Sequence, residues 1–146
     1  MNEWKYLGVT VVSGKSLSFS ARPALSSFYR AVNSIFSVLR KPDEVVLMNL
    51  LYTNCVPILT YGAEVVDFSL SDMRSFNTAI NDAIRKIFSY QRWESTRFLR
   101  QSSGFPSIYD IYSRRSDSFL SGNLKGKNEA MIHATVLYLY DLIGND

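Results

Sequence analysis

Residues typical of β-strands are concentrated in one short stretch near the start of the chain, KYLGVTVVSGKSLSF at residues 5–19. Its three valines favour a strand, Gly14-Lys15 suits a two-residue turn, and the return segment alternates serine with Leu17 and Phe19. A single β-hairpin is only marginally stable in water. The hairpin therefore needs a partner, and the remainder of the chain has a different pattern.

From residue 25 onward the apolar residues recur at the spacing of one helix face. A first stripe covers residues 25–39, and Pro23 suits the first turn of its helix. A second helix, over residues 43–65, is apolar on nearly all sides and is predicted to be the central one. Pro57 lies inside this helix and must kink or split it, because proline removes one main-chain hydrogen bond.

Helix signals continue along the second half of the chain. A third helix is predicted to begin at SLSD, residues 69–72, which resembles a capping box. Shorter helices are predicted at residues 96–101 and from Pro106. A glycine-rich loop at residues 121–127 and a final helix capped by Asn128 complete the pattern.

These patterns predict a mainly α fold, a thumb-like helical bundle with a short N-terminal β-hairpin. Residues 1–20 are assigned to the hairpin and residues 21–146 to the helical domain, and the two are expected to form one compact unit. A chain of 146 residues is long enough for one such core.

Side chains that carry catalytic chemistry are sparse. Cys55 and His133 are the only cysteine and histidine, which excludes a disulfide framework and a structural zinc site built by this chain alone. Cys55 falls in the most apolar helix and is predicted to be an inert core thiol. The sequence contains no P-loop and no pair of aspartates suited to two metal ions. It therefore predicts no catalytic residue, no metal site, no cofactor and no enzymatic activity of its own.

The hydropathy pattern argues against a membrane protein. The most apolar run, residues 45–61, is short for a bilayer and is interrupted by Asn49, Asn54 and Pro57. The N-terminus lacks a secretory signal pattern. We expect no membrane contact and a reducing intracellular location, in the cytoplasm or nucleus.

Positive charge is concentrated in the middle of the chain. Residues 85–127 hold nine Lys or Arg and three acidic residues, so nine minus three leaves +6, whereas residues 1–84 balance seven of each. Aromatic residues are interleaved with these cations. Such a segment is typical of a nucleic-acid-binding face, and equally of a solvated helix face, so charge alone leaves both interpretations open.

Four segments in a fixed order resemble one protein family. They are KYLGV (5–9), YTNCVPILTYGAEV (52–65), INDAIRKIFSYQRWESTRFL (80–99) and SIYDIYSRRSDSFL (107–120). Together they resemble the region that follows the palm in reverse transcriptases of LINE-type, non-LTR retrotransposons. In that family an aromatic-Leu-Gly stretch begins the primer-grip hairpin, and a helical thumb follows.

The resemblance implies a partner and a set of contact residues. A thumb holds an RNA–DNA hybrid or duplex by its backbone through a basic face, without reading bases. The resemblance also implies that the strands completing the hairpin's sheet, and the aspartates of the palm, lie upstream of Met1, so the chain would not polymerise DNA alone. The residues expected to contact nucleic acid are Tyr6, Leu7, Gly8, Arg85, Lys86, Arg92, Trp93 and Arg97.

Several alternatives stay open at this point. Trp93 either stacks on a sugar or base end, or wedges between helices as a core residue. Gly8 either permits close approach to a primer or is an ordinary strand glycine. The whole chain is either a thumb-like nucleic-acid-binding fragment or a free-standing helical protein-interaction module. In either case, an exposed hairpin edge would favour self-association.

Overall fold

The structure is a computed structural model that describes residues 3–6, 8–13, 17–40, 42–63, 66, 68–125, 133, 136 and 137. Within this part of the chain, three strands precede a set of helices, which confirms the predicted mainly α fold with an N-terminal hairpin. The elements in order are β1 (Glu3–Tyr6), β2 (Val9–Ser13), β3 (Leu17–Phe19), α1 (Arg22–Val38), α2 (Glu44–Leu50), a π-helical turn (Leu51–Cys55), α3 (Val56–Leu59), α4 (Leu70–Ile87), α5 (Arg97–Ser102) and α6 (Ile108–Lys125).

The strands form one antiparallel sheet in the order β1-β2-β3. The predicted hairpin corresponds to β2 and β3, in which Val11 pairs with Phe19. Its predicted turn at Gly14-Lys15 lies outside the described residues. Strand β1 is an addition to the prediction: Tyr6 pairs with Val9 across a tight turn that contains Gly8, whose φ is 84°. A positive φ is accessible to glycine without steric cost, and this allows the chain to reverse there.

The core lies among the helices, with no fully buried residue from the sheet in the described part of the chain. It joins Phe28 and Val32 of α1, the buried face of residues 47–59, the inner face of α4, and Ile108 of α6. The apolar stripes of the helices therefore meet in one core. The second helix supplies much of this core, but its apolar residues are not all buried, because α2 packs on α4 and leaves Val45 and Val46 exposed.

Pro57 follows an irregular turn in the central helix. The helix widens into the π-helical turn immediately before it, where the Val56 N–H donates to the Leu51 carbonyl five residues earlier. Proline has no N–H to donate to the Thr53 carbonyl, so the regular series of α-helical main-chain hydrogen bonds is interrupted at this point. The π-turn lies between α2 and α3 within one continuous helical segment, Glu44 to Leu59, so Pro57 alters the hydrogen bonding of this helix without breaking it in two.

Two capping boxes begin the long helices of the second half. At α4 the Asp72 N–H donates to Ser69 Oγ (3.1 Å) and the Ser69 N–H donates back to the Asp72 carboxylate (3.2 Å), which confirms the predicted start. At α6 Ser107 and Asp110 form the same pair of bonds, at 3.1 and 3.2 Å. Both boxes satisfy N–H groups that a helix start leaves unpaired.

Helix α6 is longer than predicted. It continues to Lys125, so the loop predicted at residues 121–127 is wrong over 121–125. One helical glycine costs only about 1 kcal/mol, and this does not end a helix that is already well started. Of the predicted final helix only His133, Val136 and Leu137 are described, and they are helical and exposed. Its predicted cap, Asn128, lies outside the described residues.

Candidate nucleic-acid interface

A tight turn at residues 91–94 follows helix α4. The Glu94 N–H donates to the Gln91 carbonyl (3.0 Å), and the Gln91 N–H donates to the Glu94 carboxylate. Arg92 and Trp93 are the two central residues of this turn. Their side chains are therefore presented by a closed, hydrogen-bonded loop.

The base of the 91–94 turn is fixed to helix α4. Arg85 donates from Nε to the Glu94 carbonyl (3.0 Å) and from Nη1 to Asp82 Oδ1 (3.0 Å). Thr96, which is buried, donates to Asn81 Oδ1 (3.0 Å). These bonds hold the C-terminal end of the turn against helix α4, and the two internal hydrogen bonds close the turn around its two central residues.

Four exposed side chains lie close together in sequence, on this turn and at the start of α5: Arg92, Trp93, Arg97 and Phe98. We call them the 92–98 surface. Trp93 is 82% exposed and Phe98 is 76% exposed. The alternative in which Trp93 wedges between helices is therefore wrong. Within the described part of the chain, the guanidinium groups of Arg92 and Arg97 have no hydrogen-bond or ion-pair partner. The surface combines two unpaired cations with two aromatic rings in water.

The other two predicted cations have intramolecular partners. Arg85 joins α4 to the 91–94 turn, as described above. Lys86 donates from Nζ to Asn33 Oδ1 (2.8 Å) and lies 4.7 Å from the centroid of the Phe36 ring, which ties α4 to α1. A phosphate would have to compete with these contacts. The geometry therefore favours Arg92 and Arg97 over Arg85 and Lys86 as phosphate ligands.

The predicted grip residues lie at the sheet. A Cβ on Gly8 would come within 3.0 Å of the Tyr61 ring, and a Cβ on Gly62 would come within 3.5 Å of Val9. The first two segments of the resemblance are thus in contact, at the tight turn between β1 and β2. Leu7 and the Tyr6 side chain lie outside the described residues.

A cavity of about 390 Å³ adjoins this contact, between the sheet, α1 and α3. Gly8, Tyr61, Pro57 and Ser27 are among the residues that line it. None of its described lining residues belongs to the 92–98 surface. Arg92, Trp93 and Arg97 are therefore exposed neighbours along one segment, and Gly8 lines a cavity to which none of them contributes.

Sequence reasoning missed the role of Arg100. Its guanidinium donates to Asn77 Oδ1 (2.7 Å), Asn81 Oδ1 (2.9 Å) and the Pro106 carbonyl (2.7 Å). Burial lowers the pKa of Arg100, and Asp110 partly opposes that effect. The sequence does contain one indication of this role. Asn77 and Asn81 lie one helical turn apart on α4, and two such amide oxygens suit the planar, forked guanidinium group of an arginine.

The remaining chemistry-bearing side chains form no further site in the described residues. Cys55 is fully buried in the core, which confirms its predicted packing role, and burial raises the pKa of its thiol. No group of three possible metal ligands is found within the described residues. No helix in the same part of the chain is long and apolar enough to span a bilayer.

No protein-family model, curated protein or solved structure matches this chain. The resemblance to LINE-type reverse transcriptases stays a prediction that rests on the four sequence segments.

Proposed function

We propose that this chain binds nucleic acid by its sugar–phosphate backbone, as a thumb-like module that holds an RNA–DNA hybrid or duplex. The observation that carries the proposal is the pair of exposed guanidinium groups at Arg92 and Arg97, which have no partner in the part of the chain that the structure describes. Arginine matches phosphate geometry with a planar set of donors, and binding releases counterions from the nucleic acid. Because backbone contacts carry no base information, the binding is sequence-independent.

The rigidity of the 91–94 turn supports this role. Its base is held by Arg85 and Thr96, so Arg92 and Trp93 lose little backbone freedom when a ligand binds. The proposed activity is binding and positioning. If the resemblance holds, the chemistry of polymerisation belongs to a palm and its aspartates, and this module is not itself the enzyme. We also place the protein in a reducing intracellular compartment, because its single cysteine is a free thiol buried in the core.

The test is a salt titration of binding to a short RNA–DNA hybrid with two double variants. Arg92→Ala/Arg97→Ala removes both proposed phosphate contacts. In a plot of the logarithm of the binding constant against the logarithm of the salt concentration, each phosphate contact contributes about 0.9 to the magnitude of the slope. We therefore expect the double variant to decrease this magnitude by roughly 1.8. Thermal stability should change by less than about 0.5 kcal/mol for each substitution, because both side chains are exposed.

Arg30→Ala/Arg40→Ala is the matched control, since it removes the same charge from exposed positions outside residues 85–127. It should leave the slope within experimental error of the wild type. Equal decreases in both variants would mean that net charge alone governs binding, and the 92–98 surface would lose its assigned role.

A second candidate function is self-association through the sheet. Strands β1 and β3 are the edges of the three-stranded sheet, and Trp4 on β1 is 54% exposed. An edge strand offers unpaired main-chain groups to another strand, and a lysine on such an edge opposes pairing. Sedimentation of the wild type should show concentration-dependent dimers that Trp4→Lys abolishes. A wild type that stays monomeric at high concentration would eliminate this candidate.

A further inference from the structure

The exposure of Trp93 is not explained by folding. Trp93 and Phe98 are the two most exposed large apolar side chains among the described residues. Their rings contribute almost nothing to the core, and single exposed aromatic residues are common on protein surfaces. Two of them within six positions, together with two arginines that have no partner among the described residues, place two rings and two free cations on one short segment, called the patch below.

The patch is preorganised at its tryptophan. The 91–94 turn is closed by two internal hydrogen bonds and anchored to α4 through the Glu94 carbonyl. Trp93 is therefore held in place by the main chain rather than by packing of its ring. A ring that is open to water on most of its surface and is carried by an anchored main chain suits stacking, because little further ordering of the backbone is needed.

The chemistry of the patch favours an unpaired nucleotide over other partners. An apolar protein partner would have to bury the guanidinium groups of Arg92 and Arg97 without counter-charges, which is costly. A nucleic acid offers phosphates to the arginines and a base face to the ring. Inside a duplex the base faces are covered by their neighbours, so only an unpaired or terminal base is available.

We infer that Trp93 stacks on an unpaired base next to the duplex, so that the 92–98 surface prefers a hybrid with a single-stranded overhang to a blunt hybrid. The inference rests on the proposed function, since the arginines must first engage the backbone. It adds a structural preference to sequence-independent binding: the surface recognises a junction between paired and unpaired nucleic acid.

The experiment compares two probes, a blunt RNA–DNA hybrid and the same hybrid with a short oligothymidine overhang. The chain has two tryptophans, so Trp4→Phe leaves Trp93 as the single fluorescent reporter. One base–aromatic stack corresponds to roughly a tenfold gain in affinity. We expect the overhang probe to bind about tenfold more tightly and to quench Trp93 fluorescence, and the blunt probe to bind with little quenching.

Variants at position 93 test the stacking contact itself. Trp93→Ala should lose the preference for the overhang and keep its affinity for the blunt hybrid, and Trp93→Phe should retain part of the preference. Tyr109→Ala, which removes an exposed aromatic ring outside the 92–98 surface and outside the sheet, is the matched control and should behave as the wild type does. All of these side chains are exposed, so the variants should fold.

The outcomes separate the two proposals. Equal affinity for both probes, unchanged by Trp93→Ala, would overturn the stacking inference and leave backbone binding intact. Absence of binding to either probe would remove the proposed function and the inference with it. Quenching of Trp93 by anionic lipid vesicles but not by either oligonucleotide would assign the patch to a membrane surface, and would also overturn the inference.

Discussion

At the scale of single residues, five of the six arginines in residues 85–127 fall into two groups. Arg85, Arg100 and Arg115 donate to main-chain carbonyls within the molecule, whereas Arg92 and Arg97 project into water. A sequence records the charge of each arginine but not its partners. The count of cations in residues 85–127 therefore overstates the charge available to a ligand.

Arg100 provides the clearest prediction about stability. Its planar fork reaches Asn77, Asn81 and the Pro106 carbonyl at once, and a lysine ammonium cannot reproduce this geometry. We expect Arg100→Lys to lower the free energy of unfolding by about 1–3 kcal/mol, because partly buried acceptors lose their donors. Denaturant unfolding measures this change. Arg92→Lys is the control, and a loss of similar size in both variants would contradict the assignment.

At the scale of secondary-structure elements, the Ser107–Asp110 capping box predicts that the stability of the fold depends on pH. Hydrogen bonds from the Ser107 side chain and main chain hold the pKa of Asp110 below its usual range. A carboxyl whose pKa is depressed in the folded state stabilises it above the unfolded pKa of about 3.9, and this contribution is lost as the pH falls through the folded value.

Asp110→Asn should therefore be less stable than the wild type at pH 7, and the difference should shrink as the pH falls below about 4. Thermal unfolding across that range provides the measurement. Asp43→Asn is the matched control, because Asp43 precedes α2 without a side-chain capping bond. A difference between Asp110→Asn and wild type that stays constant from pH 7 to pH 3 would show that the charge of Asp110 is not involved.

The turn between β1 and β2 supplies a second prediction at this scale. Gly8 has a φ of 84° and lies against Tyr61, so Gly8→Ala adds both backbone strain and a close contact. Hydrogen exchange of the β1 and β2 amides should accelerate, whereas the exchange of α4 should not change. Gly104→Ala is the control, because Gly104 also has a positive φ, 64°, but a Cβ there would meet no atom within 4 Å. This variant adds backbone strain alone and should therefore have the smaller effect on stability. Equal effects would mean that the Tyr61 contact is unimportant.

Most of the helices could be predicted because their signals are local. Pro57, the SLSD box and the apolar stripes act within one or two helical turns, and the effect of each is seen in the structure. Strand β1 was missed because its four residues are too few to show the alternation of apolar and polar residues that identifies a strand. The C-terminal end of α6 was misplaced because two glycines suggested a loop, whereas one helical glycine costs too little to end a helix that is already well started.

The candidate site was less predictable, because its geometry depends on distant residues. Lys86 contacts Asn33 across 53 positions of sequence, and Arg115 contacts Thr60 across 55. No local pattern distinguishes these cations from Arg92 and Arg97. For the same reason, the choice between a buried and an exposed Trp93 required the three-dimensional structure.

At the scale of the whole molecule, the four segments of the resemblance are distributed over one connected fold. The sheet meets the end of α3 at Gly8 and Tyr61, and α4 connects to the start of α6 through Arg100. The 92–98 surface lies on the chain between α4 and α5. We propose that this surface makes the chain a backbone-binding, thumb-like module.

The most direct test of that claim is the affinity of the wild-type protein for a short RNA–DNA hybrid, measured over a series of salt concentrations with two hybrids of unrelated sequence. Two phosphate contacts predict a log–log slope with a magnitude of at least about 1.8, equal for both sequences. A slope near zero, or an affinity that depends strongly on sequence, would contradict backbone binding and remove the proposed function.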